Sequence, residues 1–139
     1  MESRIEKTIE RHKKGYNCAQ AVVCTYCDLL GMDEEAAFRL SEGFGAGMGG
    51  MESTCGALSG AVMLSGLKGS DGNLEAPKTK GSTYKLSKEI VKRFREKCGA
   101  TICKELKGAD TGKPKHACPD CIKDAAAIVE DMLLGEKNE

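Results

Sequence analysis

Apolar residues recur every three to four positions along most of this chain, the spacing that places them on one face of an α-helix. Ile5 and Ile9 stand four apart in a charged segment, and Leu86 and Ile90 repeat that spacing later. No stretch alternates apolar and polar residues with a period of two. The pattern therefore predicts an all-α fold, a single domain over residues 1–139, built as a bundle of about six to seven helices with a glycine-rich loop. The predicted helical segments are 3–14, 18–30, 33–43, 53–67, 84–97, 102–107 and 118–133.

Polar residues mark several helix starts. Asn17 with Gln20 three residues later is the pattern of a capping box, in which two side chains satisfy the free N–H groups of a first turn. Asp33 is a favourable cap for the third helix, and Ser53 and Thr54 are natural caps for the fourth. Segment 18–30 is apolar over most of its circumference, so we expect it to be the buried central helix.

A glycine-dense loop at 43–50 leads into Cys55, which opens a helix of small residues. Glycine in a loop lets the backbone take positive φ and approach other groups closely. A sulfur at a helix start faces backbone N–H groups and the positive end of the helix dipole, which favours thiolate over thiol. Gly45, Gly47 and Gly50 also match a dinucleotide-binding spacing, but they follow a predicted helix rather than a strand, so this match is discounted.

Three more cysteines fall in the first turns of predicted helices: Cys18, Cys103 and Cys118. Helix starts stabilise anions. If the four starts converge, they form a pocket for thiolates, for an anionic cluster or for an oxidised substrate. We therefore predict these four cysteines as catalytic residues, with Cys55 the lead nucleophile and one of the other three the resolving thiol. The backbone N–H groups near the loop glycines, Gly47, Gly49 and Gly50, are predicted to close over whatever the sulfurs hold.

The other cysteines carry weaker signals. Cys24 and Cys27 lie inside an apolar helix and are interpreted as core or partner-facing thiols. Cys121 forms a Cys-x-x-Cys dithiol with Cys118 at a helix start, which suits redox chemistry better. The pairs 24/27 and 118/121 also form a zinc pattern, although their separation is far outside that of a compact zinc ribbon. Cys98 is interpreted as incidental, and His116 as a surface residue that could instead lower the pKa of Cys118 or bind metal.

Charge and composition narrow the function classes. Twenty-one basic residues balance twenty-one acidic ones, so no net field attracts nucleic acid or an anionic membrane. The first fourteen residues are charged throughout and no apolar run approaches the roughly 18 residues of a membrane span. We expect no secretory signal, and hence a cytoplasmic location, where the eight cysteines would stay reduced rather than form structural disulfides.

The order of these features resembles a family of small redox-active proteins named for its cysteine arrangement, C_GCAxxG_C_C. The residues that carry the resemblance are Gly15-Tyr16-Asn17-Cys18-Ala19-Gln20, Gly47-Met48-Gly49-Gly50-Met51, Cys55-Gly56-Ala57-Leu58-Ser59-Gly60, Cys103-Lys104-Glu105-Leu106 and Cys118. The resemblance implies a chain of about this length, four family cysteines and a redox role. Four further cysteines are additional to that pattern, namely Cys24, Cys27, Cys98 and Cys121.

Three functions follow, in order of preference. The first is thiol–disulfide or electron-transfer chemistry on a small thiol or disulfide substrate or a redox partner protein. The second is an iron–sulfur cluster or other metal cofactor held by Cys18, Cys55, Cys103 and Cys118. The third is a non-catalytic interaction module in which the cysteines serve packing. The exposed apolar helix faces would also suit a homodimer.

Overall fold

The computed structural model describes residues 2–108, 112 and 115–135. Within these residues the chain forms seven right-handed α-helices and no β-strand, which confirms the predicted all-α bundle. Turns of 3₁₀ helix at Cys27–Leu30 and Glu42–Phe44 and a short turn at Gly45–Met48 complete the elements. The helices are α1 (Ile5–Lys14), α2 (Cys18–Tyr26), α3 (Glu34–Ser41), α4 (Gly56–Gly69), α5 (Lys80–Cys98), α6 (Cys103–Lys107) and α7 (Cys118–Leu133).

Local capping chemistry determines the starts of α2 and α3 as the sequence predicts. The Asn17 side chain accepts a hydrogen bond from the Gln20 N–H, and the Gln20 side chain accepts one from the Asn17 N–H, each at 2.9 Å. The Asp33 carboxylate accepts from the Ala36 N–H at 3.0 Å. Gly31 takes a left-handed conformation after the 3₁₀ turn that follows α2, which ends this segment where the glycine predicts.

The start of α4 differs from the prediction. Neither Ser53 nor Thr54 caps this helix. Its N-cap residue is Cys55, and no side chain makes a capping hydrogen bond there. Thr54 instead pairs with Ile102 in an isolated antiparallel bridge, and the Cys55 N–H donates to the Thr101 carbonyl at 2.7 Å. A tertiary contact with the start of α6 has therefore replaced the local cap.

Helices α2 and α4 form the central pair of the bundle. Helices α5 and α7 pack against α4, α3 packs against α2, and α1 packs against both α2 and α7. The predicted burial of α2 is confirmed, because all its residues after Cys18 are buried. A Cβ added to Gly60 would lie 2.9 Å from the Ala19 carbonyl oxygen, so the absence of a side chain at this position lets α2 and α4 approach closely.

Among the described residues, each helix is too short or too polar to cross a lipid bilayer.

Candidate functional site

Four cysteines lie at four helix starts, as the sequence predicts. Cys18, Cys103 and Cys118 are the first residues of α2, α6 and α7, and Cys55 is the N-cap of α4. The structure brings them together around one small cavity of about 20 Å³. The other lining residues are Ala46, Gly56, Leu106, Lys107, His116 and Cys121. A cavity of this volume has room for about one water-sized atom.

The segment 51–55, which follows the glycine loop, docks onto the start of α6 and so positions two of these cysteines. The Ser53 carbonyl accepts the Cys103 N–H at 2.8 Å, and the Met51 carbonyl accepts the Lys104 N–H at 3.0 Å. The Cys55 N–H likewise donates to the Thr101 carbonyl. These N–H groups are thus satisfied by backbone carbonyls. They are therefore not free to donate to a ligand in the cavity.

Gly47 packs tightly against Cys103. Its φ is +57°, and a Cβ built on it would lie 2.4 Å from the Cβ of Cys103. The neighbouring Ala46 and Met48 also have positive φ, at 53° and 64°, although neither is a glycine. Backbone strain of this kind persists only where surrounding contacts impose it, and it concentrates at functional sites.

Gly49 and Gly50 do not line the cavity. Both are exposed, and no atom of another part of the chain lies within 4 Å of the Cβ position of either. Of the three glycines predicted to bind a cofactor, Gly47 alone is buried beside a cavity cysteine. The binding role of all three stays a prediction.

Exposure divides the eight cysteines into two groups. Six are buried, and the two that are half-buried are Cys18 and Cys118. Both belong to the cavity, and each is the first residue of its helix. A reagent or substrate arriving from solvent therefore meets these two thiols first.

Cys18 and Cys118 also interact with each other. The pKa of Cys118 is lowered to about 6, because hydrogen bonding from Cys18 and the positive charge of Lys107 together outweigh the opposing effect of burial. The pKa of Cys18 is correspondingly raised, first by its hydrogen bonding to Cys118 and then by burial. The pair thus holds one thiolate on Cys118 and one thiol on Cys18 near neutral pH.

The expectation of a thiolate at Cys55 is wrong. Its pKa is raised by hydrogen bonding to Cys121 and by burial. The first-turn N–H groups of Ala57 and Leu58 do lower this pKa, as a helix start should, but their effect is smaller. Burial also raises the pKa of Cys103, although Lys107 opposes it.

Cys24 and Cys27 belong to the hydrophobic core, and the interpretation of them as core thiols is confirmed by their exposed fractions of 3% and 1%. Burial raises the pKa of Cys24 to about 12. They lie beyond Cys18 by six and nine residues along the chain and do not line the cavity, so the structure does not bring them together with Cys118 and Cys121.

A second cluster adjoins the cavity, and sequence reasoning missed most of it. The Sγ of Cys98, a ring nitrogen of His116 and a carboxylate oxygen of Asp124 all lie within 4.8 Å of one another. His116 Nε2 is 2.7 Å from Asp124 Oδ2, and the Cys98 thiol donates to the same oxygen at 3.6 Å. The one signal available in the sequence is the run of Cys118, Cys121 and Asp124 at three-residue intervals, which shares a helix face.

Cys121 connects this cluster to the cavity. Its pKa is raised to about 12: hydrogen bonding with Cys55 lowers it, whereas hydrogen bonding with Cys98 and burial raise it more. Its thiol also donates to the His116 carbonyl at 3.6 Å. A continuous set of sulfur contacts therefore runs from Cys55 through Cys121 to Cys98.

A family model described as "Putative redox-active protein (C_GCAxxG_C_C)" matches residues 16–132, which is most of the chain. The chain belongs to the C_GCAxxG_C_C family. Comparison with curated proteins and with solved structures gives no significant match. The four cysteines that carry the resemblance in the sequence, Cys18, Cys55, Cys103 and Cys118, all line the cavity, together with Cys121. The family description supplies a redox role without naming a reaction.

Proposed function

We propose that this C_GCAxxG_C_C protein is a thiol–disulfide oxidoreductase whose working dithiol is Cys118 with Cys18. The observation that carries the proposal is the pairing of the two half-buried cysteines, with the thiolate on Cys118. Reactive cysteines are thiolates in electropositive, partly exposed surroundings, whereas buried structural cysteines are inert. Cys118 meets this description, with Lys107 supplying the positive charge.

The proposed reaction has two exchange steps. The Cys118 thiolate attacks one sulfur of a substrate disulfide, forming a mixed disulfide and releasing the other sulfur as a thiolate, which takes up a proton. The Cys18 thiol then loses its proton to solvent and attacks the Cys118 sulfur. This step forms the Cys18–Cys118 disulfide and releases the second substrate thiol. Two electrons have passed from the protein to the substrate.

The cycle closes when a dithiol reductant reduces the Cys18–Cys118 disulfide by the reverse exchange. A reducing compartment such as the cytoplasm would supply that reductant. The substrate class is a small disulfide or a disulfide on a partner protein, since the cavity itself is too small to enclose one. The disulfide must therefore be presented at the half-buried edge of the cavity.

A second candidate function is metal binding by Cys18, Cys55, Cys103 and Cys118. The cavity volume of about 20 Å³ favours the binding of a single ion, because a cavity of this size has room for about one water-sized atom. Four cysteine thiolates suit zinc or a single iron, and iron would supply one-electron transfer when bound. An iron–sulfur cluster contains several inorganic atoms, so the four sulfurs would have to move apart to hold it.

The proposal is tested by reduction of a small aromatic disulfide, followed by the release of its coloured thiol. Cys118→Ser should abolish turnover, whereas Cys18→Ser should release one equivalent of thiol and then stop as a mixed disulfide on Cys118. Cys24→Ser is the matched control, because it removes a cysteine of the same chain that lies outside the cavity. Unchanged turnover in Cys118→Ser would overturn the proposal.

A further inference from the structure

The cluster of Cys98, His116 and Asp124 lies outside the four family cysteines and takes no part in the proposed exchange. Cys98 is the last residue of α5, His116 precedes α7, and Asp124 lies in the second turn of α7. The cluster therefore joins the end of one long helix to the beginning of another. Its three side chains come from three separate parts of the chain, and they present three different donor atoms to one point.

One separation among these atoms matches that of a tetrahedral metal site. Ligands about 2.0–2.3 Å from a zinc ion in tetrahedral geometry lie roughly 3.3–3.8 Å from one another. The Cys98 sulfur is 3.6 Å from Asp124 Oδ2. The His116 nitrogen is nearer to that oxygen, at 2.7 Å, which is a hydrogen-bond distance. A metal ion bound between the two atoms would replace this hydrogen bond.

The sulfur of Cys121 lies next to this cluster, outside the set of three donor atoms that are all within 4.8 Å of one another. The Cys121 thiol is hydrogen-bonded with Cys98 and also donates to the His116 carbonyl. A set of two cysteines, one histidine and one carboxylate is of the kind that zinc and similar transition-metal ions accept. The side chains of His116 and Asp124 are 24% and 27% exposed, so an ion from solvent can reach the cluster.

We propose that Cys98, His116 and Asp124, with Cys121 as the fourth donor, form a mononuclear zinc-class metal site beside the redox dithiol. Binding would release the proton of each participating thiol, since a thiol binds metal as the thiolate. The bound ion would tie the C-terminus of α5 to the N-terminus of α7. It would thereby fix the helix start that carries Cys118.

The test measures Zn²⁺ affinity by competition with a chromophoric chelator, and ligand type by Co²⁺ absorption, on reduced protein. The Cys18→Ser/Cys118→Ser double variant is the background, because it removes two of the four donors of the competing four-cysteine site. We expect it to bind one equivalent of Zn²⁺ and to show thiolate-to-cobalt charge-transfer absorption. Adding His116→Gln, or separately Asp124→Asn, should weaken Zn²⁺ binding at least about 10- to 100-fold, the loss that even an outer-sphere partner produces.

His12→Gln is the matched control, since it replaces the other of the two histidines of the chain and should leave the affinity unchanged. Absence of Zn²⁺ binding in the background variant, with helical circular dichroism retained, would overturn the proposal. Unchanged affinity in both His116→Gln and Asp124→Asn would do so as well. If the wild-type protein binds Zn²⁺ and the Cys18→Ser/Cys118→Ser background variant does not, the ion binds in the four-cysteine cavity. None of these results depends on disulfide turnover, so the two proposals fail separately.

Discussion

The lowered pKa of Cys118 leads to a quantitative prediction of the rate at which this thiol reacts with a disulfide. Hydrogen bonding from Cys18 and the charge of Lys107 bring this pKa to about 6. At pH 5.5 a thiol of that pKa is about 24% ionised, whereas one with an ordinary pKa of about 8.5 is about 0.1% ionised. The thiolate fraction is therefore roughly 240-fold larger for Cys118 than for an ordinary cysteine.

Part of this advantage is lost, because a thiolate of lower pKa is a weaker nucleophile. With a Brønsted slope of about 0.4–0.5, a difference of about 2.5 in pKa lowers the intrinsic rate roughly 10- to 18-fold. The net prediction at pH 5.5 is a reaction with an aromatic disulfide about 10- to 25-fold faster than that of an ordinary thiol. Above pH 7 the rate should stop rising with pH, because Cys118 is by then ionised.

The perturbation is Cys18→Ala, which removes the hydrogen bond to the Cys118 sulfur. The pKa of Cys118 should rise, so its reaction at pH 5.5 should slow and the rate plateau should move to higher pH. The wild-type protein should release two equivalents of reporter thiol per chain and the variant one, since no resolving thiol remains. Stopped-flow absorbance gives the rates, and peptide mass spectrometry identifies the labelled cysteine.

Cys24→Ala serves as the control, because Cys24 is buried and should change neither the rate nor the stoichiometry. A fastest-reacting cysteine other than Cys118 would contradict the low pKa of that thiol. A rate at Cys118 that rises steadily through pH 8, as for an ordinary thiol, would contradict it as well.

Three further predictions concern packing and charge. Gly60→Ala should lower the free energy of unfolding, because its Cβ would lie 2.9 Å from the Ala19 carbonyl oxygen. Gly66→Ala in the same helix has open space around its Cβ and should raise the free energy of unfolding by about 1 kcal/mol. Urea denaturation measures both, and a gain in stability for Gly60→Ala would contradict the close approach of α2 and α4. The Gly47→Ala variant should be less stable than the Gly49→Ala variant by about 1–3 kcal/mol. Both glycines have positive φ, but only a Cβ at position 47 would collide with Cys103. Equal losses of stability would show that the loop can move to accept the Cβ. Lys107→Gln should raise the pKa of Cys118 and slow its reaction at pH 5.5. Lys88→Gln is the control, because Lys88 is exposed. An unchanged pH profile in Lys107→Gln would show that Lys107 does not lower the pKa of Cys118.

The sequence predicts those features that depend on local chemistry. The Asn17–Gln20 capping box, the Asp33 cap and the cysteines at helix starts all follow from contacts within a few residues. The same holds for the all-α fold, because helical periodicity is visible along each segment. The close approach of helices at Gly60 was also predictable, since a glycine in a helix interior needs a compensating contact.

The remaining features depend on tertiary neighbours that sequence spacing does not reveal. Cys55 sits at a helix start, yet its pKa is raised because folding places Cys121 beside it in a buried position. Cys118 sits at a similar start, and its pKa falls because Cys18, a hundred residues away in the chain, lies next to it. The contact between Cys98 and Asp124 likewise requires α5 and α7 to pack together.

The most direct test of the proposed dithiol is a redox titration of the wild-type protein followed by peptide mapping. The protein is equilibrated anaerobically with mixtures of reduced and oxidised dithiothreitol or glutathione, then quenched with acid and alkylated. We expect a single disulfide, Cys18–Cys118, that forms and is reduced reversibly as the redox potential of the buffer changes. A stable protein in which Cys18 and Cys118 never pair, or in which Cys55 forms the reversible disulfide instead, would contradict it.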